Sequence, residues 1–176
     1  NGIVAWRSFG SNGTGEGQFD ENWDIMVFDN EIYVTDAQND RVQVFTLSGY
    51  FKREFGSSGA GDDNFSEPLG ITNDGTNLII CDKGNDRIKT HTTAGTYVSQ
   101  FGTNGVGNTN FDAPMGIHYY NAELYICDQR NERMKVHQTD GTYVRQWNTT
   151  STFPYQQPRM VTESGGLIYV TVKEGV

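Results

Sequence analysis

The sequence predicts an all-β chain assembled from repeated four-stranded units, and three observations predict it. The first is a fixed interval. Phe9, Phe55, Phe101 and Trp147 fall 46 residues apart, as do Asp36, Asp82 and Asp128, then Asn39, Asn85 and Asn131, then Arg41, Arg87 and Arg133. The second is local pattern: short alternating runs such as "EIYVTD", "RVQVF" and "GTYVRQW" recur between Gly, Asn and Asp, as half-buried strands and their turns do. The third is the lack of a competing pattern. No window of a dozen residues carries an apolar stripe at helical spacing. A period in the mid-forties made of four strands is the signature of a propeller blade.

Taken in chain order, "IVAWRSFG" reads as the closing strand d of a blade and gives a partial unit over residues 1–10. Three full units follow over 20–56, 66–102 and 112–148. In the second of them strand a lies near "PLGIT", b near "NLIICD", c near "RIKTH" and d near "GTYVSQFG". A last partial unit over 158–176, "RMVTESGGLIYVTV" within it, reads as strands a and b. The 176 residues thus form a single domain of about three and a half blades. Between units lie the loops "FGSNGTGEGQFDENWDI", "FGSSGAGDDNFSEPLGI" and "FGTNGVGNTNFDAPMGI". Each must return from the outer rim to the central axis, and glycine tolerates the positive φ angles of such turns. A phosphate cradle needs a helix N-terminus after the loop, and here a strand follows.

Composition narrows the function classes. Aromatics reach 12% although the hydrophobic share is only 35%, so a core is available and a disordered chain is excluded. Thirteen basic residues against 22 acidic ones, a net charge of −9, argue against a nucleic-acid partner, whose phosphates are bound by Lys and Arg. No apolar run is long enough to span a bilayer. Cys81 and Cys127 share one repeat slot; a disulfide needs Cα atoms within about 7 Å, so buried free thiols are expected.

The stretches "EPLGI…LIICDKGNDRIKTH…GTYVSQFG" and their copies resemble the NHL-repeat family of β-propellers over nearly the whole chain. They match its Pro-x-Gly-Ile, Tyr-Val-x-Asp, Asn-x-Arg-Ile and closing Phe-Gly. The Gly-His and Trp-Asp dipeptides of WD40 blades do not recur, and the Asn-x-Arg after "YVTD" favours NHL over the YWTD class. The resemblance implies a propeller and a choice of functions. Some NHL-like proteins are metal-dependent lyases acting on modified peptide C-termini, with histidines around the channel, and some NHL domains bind RNA, which the negative charge disfavours.

Residues present in every unit are expected to hold the fold, and function is expected where the units disagree. At the start of strand a, "PLG" and "PMG" give way to Asn22-Trp23-Asp24 in the first unit and Pro158-Arg159-Met160 in the last. Trp23, Asp24 and Arg159 are therefore candidate binding residues at the channel mouth. The b–c turns also differ, placing Lys83, Gln129 and Arg130 near the acidic residues of the glycine loops and adding Lys83 and Arg130 as candidates. Solvated loop charge is the competing account of that second group. No catalytic or metal residues are assigned and no cofactor is expected. A catalytic zinc needs three protein ligands, and of three histidines only His118 could face the channel, because His91 and His137 share one slot in strand c. Asn12, Asn64 and Asn148 fit the glycosylation sequon in the d–a connections. The expected function is a non-catalytic module that binds a protein or glycan or serves as an assembly scaffold, and the composition suits an extracellular or virion-surface location by analogy. The alternative is an enzyme of the NHL lyase or lactonase kind completed by further blades. An open arc leaves apolar end faces in water, so the chain is expected to be part of a longer propeller or to self-associate into a ring or filament.

Overall fold

The computed structural model describes residues 8–149 and 156–174. The strand d expected at "IVAWRSFG" lies largely outside the described residues. Two short strands, β1 (Ser11–Asn12) and β2 (Gln18–Phe19), pair in parallel within the first glycine loop. The first blade is the antiparallel sheet β3 (Asn22–Phe28), β4 (Glu31–Asp36), β5 (Arg41–Thr46) and β6 (Phe51–Phe55). The second is β7 (Pro68–Asn73), β8 (Asn77–Asp82), β9 (Arg87–Thr92) and β10 (Tyr97–Phe101), with one 3-10 turn at Lys83–Asn85. The third is β11 (Pro114–Tyr120), β12 (Glu123–Asp128), β13 (Arg133–His137) and β14 (Tyr143–Asn148). A last two-stranded unit pairs β15 (Gln156–Ser164) with β16 (Leu167–Glu174). The chain is an all-β propeller arc of four-stranded antiparallel blades.

Why each blade has two apolar faces is visible in its second strand. Leu78 and Ile80 of β8 pack on Tyr33, Val42 and Val44 of the first blade. Their neighbours Ile79 and Cys81 point the other way, onto Leu124 and Ile126 of the third blade. A strand buried on both faces reads as a continuous apolar run, which is what "LIIC" is. Tyr125 and Cys127 continue the series against Val161, Ile168 and Val170 of the last unit. Cys81 and Cys127 are buried free thiols, and burial pushes the Cys127 thiol up to about 12.

The recurring Asp-x-x-Asn-x-Arg set locks each b–c turn to the glycine loop that enters the same blade. Asp82 is fully buried; its carboxylate accepts from the Ser66 N–H at 2.7 Å, Asn85 Nδ2 at 2.9 Å and Arg87 Nε at 2.6 Å. Arg87 then donates its other nitrogens to the carbonyls of Ala60, Gly61 and Asn64. Asp36 with Arg41, and Asp128 with Arg133, repeat the arrangement. The bond between blades comes from a different residue than the Asp of this set. Asp40 and Asp86, in the left-handed region at φ 53°, accept from the N–H of Glu67 and Ala113 at the head of the next blade, each at 2.8 Å. They stand at the variable position of Asn-x-Arg.

The loops are equally regular. Ser58 bridges Phe65, and Asn104 bridges Phe111, in parallel, matching the β1–β2 pair. Gly56 and Gly102 (φ 98° and 100°) turn the chain there, and a Cβ on either would collide with the ring of Phe65 or Phe111.

Candidate functional site

The first strands of the three blades and of the last unit converge on a cavity of about 350 Å³. Each carries a register shift at its head, between Asn22 and Ile25, Pro68 and Ile71, Pro114 and Ile117, and Pro158 and Met160. Bulges of this kind re-aim the side chains beside them. The apolar slot holding Ile25, Ile71, Ile117 and Val161 recurs in every unit, whereas its neighbours change. One lining slot is Met26, Thr72, His118 and Thr162 in turn, and the slot before the isoleucines is Asp24, Gly70, Gly116 and Met160.

Glycine at 70 and 116 has a packing cause. A Cβ on Gly70 would run into the Met115 carbonyl, and one on Gly116 into the Arg159 carbonyl and the Met160 backbone. The second, third and last first strands therefore approach backbone to backbone. Asp24 stands in that slot in the first blade, and its side chain spans the gap instead. Its carboxylate accepts from the N–H of Ile71 in the next blade at 3.0 Å and from the N–H of Ile25 at 2.8 Å. Burial raises its pKa, and those two N–H groups work in the opposite direction. Thr35, below it, donates to the Leu69 carbonyl at 2.7 Å and accepts from the Asp24 N–H, which ties the two blades together. His118 is half-buried, and burial lowers its pKa while Glu163 pulls the other way.

The five candidates from the sequence are not one cluster. Asp24 lines the channel-side cavity, and it also lines a second pocket of about 280 Å³ with Trp23, Phe9, Phe19 and Ile25 on the open side of the first blade. Trp23 belongs only to that second pocket, at 36% exposure. Arg159 lines neither, and its Nε is buried without a hydrogen-bond partner. Lys83 pairs with Glu67, and Arg130 with Asp112 at 3.4 Å, each joining a b–c turn to the segment entering the same blade. What the sequence reading missed is the set Thr72, Asn73 and Thr162, which share the cavity with Asp24 and His118. The signal was the repeat itself: the Asn73 slot is Val27, Asn73, Tyr119 and Glu163 in turn, and the Thr72 slot passes from Met26 through Thr72 and His118 before Thr returns at 162.

Buried beneath the loops is a second feature that went unread. Lys89 and Lys135 are completely buried, and each ammonium donates to three loop carbonyls, those of Gly61, Asp62 and Asn64 for Lys89 and of Gly107, Asn108 and Asn110 for Lys135. The ammonium groups also lie 4.8 and 4.6 Å from the ring centres of Phe65 and Phe111. Burial lowers both lysines to about 8, so they stay mostly charged at neutral pH. Among the described residues, no three His, Cys, Asp or Glu side chains are grouped as metal ligands. Among the same described residues, no helix is long and apolar enough to cross a membrane.

No protein-family model matches the sequence, and no curated protein does. Solved structures do match. A streptogramin B lyase superposes with a TM-score of 0.66 at 19% identity, over 85% of this chain and 47% of the lyase. Virginiamycin B lyase from Staphylococcus aureus gives 0.63 at 17% identity, over 85% of this chain and 48% of that one. A structure of a nidogen/laminin complex gives 0.57 at 23% identity, over 81% and 51%. At such identities the likeness is one of fold, and the chain spans about half the length of these propellers.

Proposed function

We propose that the chain is an NHL-like, non-catalytic propeller module that recognises a protein or glycan partner and serves in assembly. Its recognition surface is the cavity where the first strands meet, walled by Asp24, Thr72 and His118, together with Trp23 in the adjoining pocket on the open side of the first blade, Arg159 at the head of the last unit's first strand, and Lys83 and Arg130 on the loop face. One observation carries this reading: the division of labour between constant and changing slots. The recurring Asp, Asn and Arg residues are consumed in framework hydrogen bonds, while the polar part of the cavity wall is built from slots that differ between units. A wall that changes from blade to blade presents one asymmetric pattern of donors and acceptors, as recognition of one partner requires. The nidogen/laminin structure supports a protein as that partner. Binding to a printed glycan array and to a panel of extracellular-matrix proteins, parent against Asp24→Ala, Thr72→Ala, Trp23→Ala and Arg159→Ala, tests it. A partner bound by the parent should be lost with Asp24→Ala or Thr72→Ala. Equal binding by all four variants would place recognition elsewhere.

The likeness to two lyases favours one second reading, an enzyme of the lyase or lactonase kind, with His118 as the channel residue closest to that chemistry. The grouping of described residues does not itself fit a metal site. Stoichiometric zinc or calcium in the purified protein, measured by mass spectrometry, would favour the enzyme.

A further inference from the structure

The glycosylation sequons at Asn12 and Asn64 lie in equivalent glycine loops, and the fold treats them in opposite ways. Asn64-Phe65-Ser66 is built into the frame. Asn64 Nδ2 donates to the Ser57 carbonyl at 3.2 Å, the Ser57 hydroxyl at 2.9 Å and the Ser58 carbonyl at 3.3 Å, closing the loop on itself. Phe65, the middle residue, is fully buried in the core between the first two blades, and Asp82 holds the Ser66 N–H. Asn110 closes the third loop in the same way, on Thr103 and Asn104. A sugar on the Asn64 nitrogen would take one of its two hydrogens and break that closure.

Asn12-Gly13-Thr14 is gripped by its backbone instead. The Gly13 N–H donates to the Phe19 carbonyl at 3.0 Å, Asn39 Nδ2 to the Gly13 carbonyl at 3.0 Å, and Arg41 to the Thr14 carbonyl at 2.9 Å. The Asn12 and Thr14 side chains are left exposed, and the Thr14 hydroxyl makes no hydrogen bond among the described residues. Exposure belongs to the slots themselves. Ser58 with Ala60, and Asn104 with Val106, are exposed at the same places in loops that have a blade on either side.

We propose that Asn12 is an acceptor site for an N-linked glycan, presented to the transferase by the folded loop. The sugar donor is a polyprenyl-pyrophosphate-linked oligosaccharide. The Asn12 amide nitrogen bonds to C1 of the reducing-end sugar, and the bond from C1 to the phosphate oxygen breaks. The polyprenyl pyrophosphate leaves with the electron pair, and the displaced amide proton passes to a base of the transferase. The modified side chain keeps its neutral amide, and no bond of the frame is lost. Neither Asn12 nor Thr14 belongs to the recognition surface proposed above, so the two readings fail independently.

The purified folded chain, incubated with a single-subunit oligosaccharyltransferase and that class of donor, tests this by peptide mass mapping. Synthetic peptides carrying each sequon supply the unfolded reference. The folded chain should carry a glycan on Asn12 and remain bare at Asn64. Asn12→Gln and Thr14→Ala should each abolish the Asn12 glycan with the circular dichroism unchanged. Ser58→Asn with Ala60→Thr moves the sequon into the second loop and should add a glycan there. A folded chain bare at Asn12, when the Asn12 peptide is modified, overturns the proposal, as does a glycan that survives Thr14→Ala. Equal modification of Asn64 and Asn12 in the folded chain overturns the distinction between the two loops. A second loop that stays bare in the double variant, beside a modified Asn12, overturns the exposed slot as the cause.

Discussion

The second and third blades are near copies of one another, and the first blade departs from them in its filling while keeping their frame. In β9 and β13 the loop-facing pair is Lys89 with His91 and Lys135 with His137; in β5 it is Gln43 with Phe45. Both pairs do the same two jobs. Gln43 donates to the Gln18 carbonyl and accepts from the Gly17 N–H, holding the glycine loop as the lysines hold theirs. Phe45 sits 4.8 Å from Phe9 and 5.7 Å from Phe19, centre to centre, where His91 sits 5.4 Å from Phe55 and 5.2 Å from Phe65. Lysine at the first position sets a condition on the second. A histidine beside a buried ammonium and aromatic rings is held neutral, and burial, then Lys89, lower His91 to about 4. The two residues have changed together, from charged-and-polar to neutral-and-apolar, while Asp36 and Arg41 stayed fixed.

If the frame is common to all three blades, breaking it should cost the same in each. Asp36→Ala, Asp82→Ala and Asp128→Ala each strand a buried guanidinium, and each should lower the unfolding free energy by about 3 kcal/mol, measured by denaturant titration. A first-blade variant markedly milder than the other two would show that its frame is not equivalent. A smaller effect separates the blades. Gly70→Ala and Gly116→Ala push a methyl into the neighbouring backbone and should cost about 2 kcal/mol each. Asp24→Ala removes the bridge to the Ile71 N–H and the local bond to the Ile25 N–H and should cost about 1 kcal/mol by the same titration.

The exchanged filling predicts a difference with pH. His91 has a folded pKa near 4, below its ordinary value of 6.5, and His137 is lowered in the same direction, first by burial. Above 6.5 both states are neutral and the histidines contribute no pH dependence. Below it the unfolded chain takes up protons that the folded chain refuses. Stability should therefore fall between 6.5 and 4 by about 1 kcal/mol per pH unit through His91, with His137 adding to the fall in the same direction. Replacing the second blade's pair by the first blade's, Lys89→Gln with His91→Phe, should remove the His91 part of that slope while leaving the chain folded at pH 7. Neither ring nitrogen of His91 has a hydrogen-bond partner, so the aromatic replacement abandons no bond. An unchanged slope in thermal melts across that range would show that His91 is not the titrating group.

The frame was legible in the sequence because a repeat exposes it: Asp82, Asn85 and Arg87 stand out by recurring. Register and strand order came with them, including the two strands of the last unit. What escaped was a framework role carried by a slot that varies. Asp40 and Asp86 bear the bond between blades, yet in the third blade the slot is Glu132, so it looked free. Lys89, Lys135 and Gln43 differ in type, although a polar residue on the buried phase of a strand was a sign that something polar lay above it. The cavity was half-read for the same reason. Trp23 and Arg159 stood out as departures from Leu69 and Met115, but the bulge at the head of strand a gives Trp23 to the open side of the blade and Asp24 to the channel.

The smallest expected effect concerns Lys83 and Arg130, and it sharpens the contrast between turn residues that hold the fold and those that decorate it. Arg87 opens the strand that follows a b–c turn, Arg130 lies within such a turn, and both touch a carboxylate. The Arg87 side chain is 8% exposed, against a fully buried Asp82, whereas the Arg130 side chain is 64% exposed and meets Asp112 at 3.4 Å. An exposed pair gains little, because water screens the attraction and two long side chains lose freedom in making it. Lys83→Ala and Arg130→Ala should therefore change the unfolding free energy by less than about 0.5 kcal/mol. Their stability neutrality makes them clean probes of binding. Weakened partner binding by either variant, with unchanged melting, would assign the loop face to recognition, and undiminished binding would leave these charges as solvated decoration on a turn that Asp82 and Arg87 hold without them.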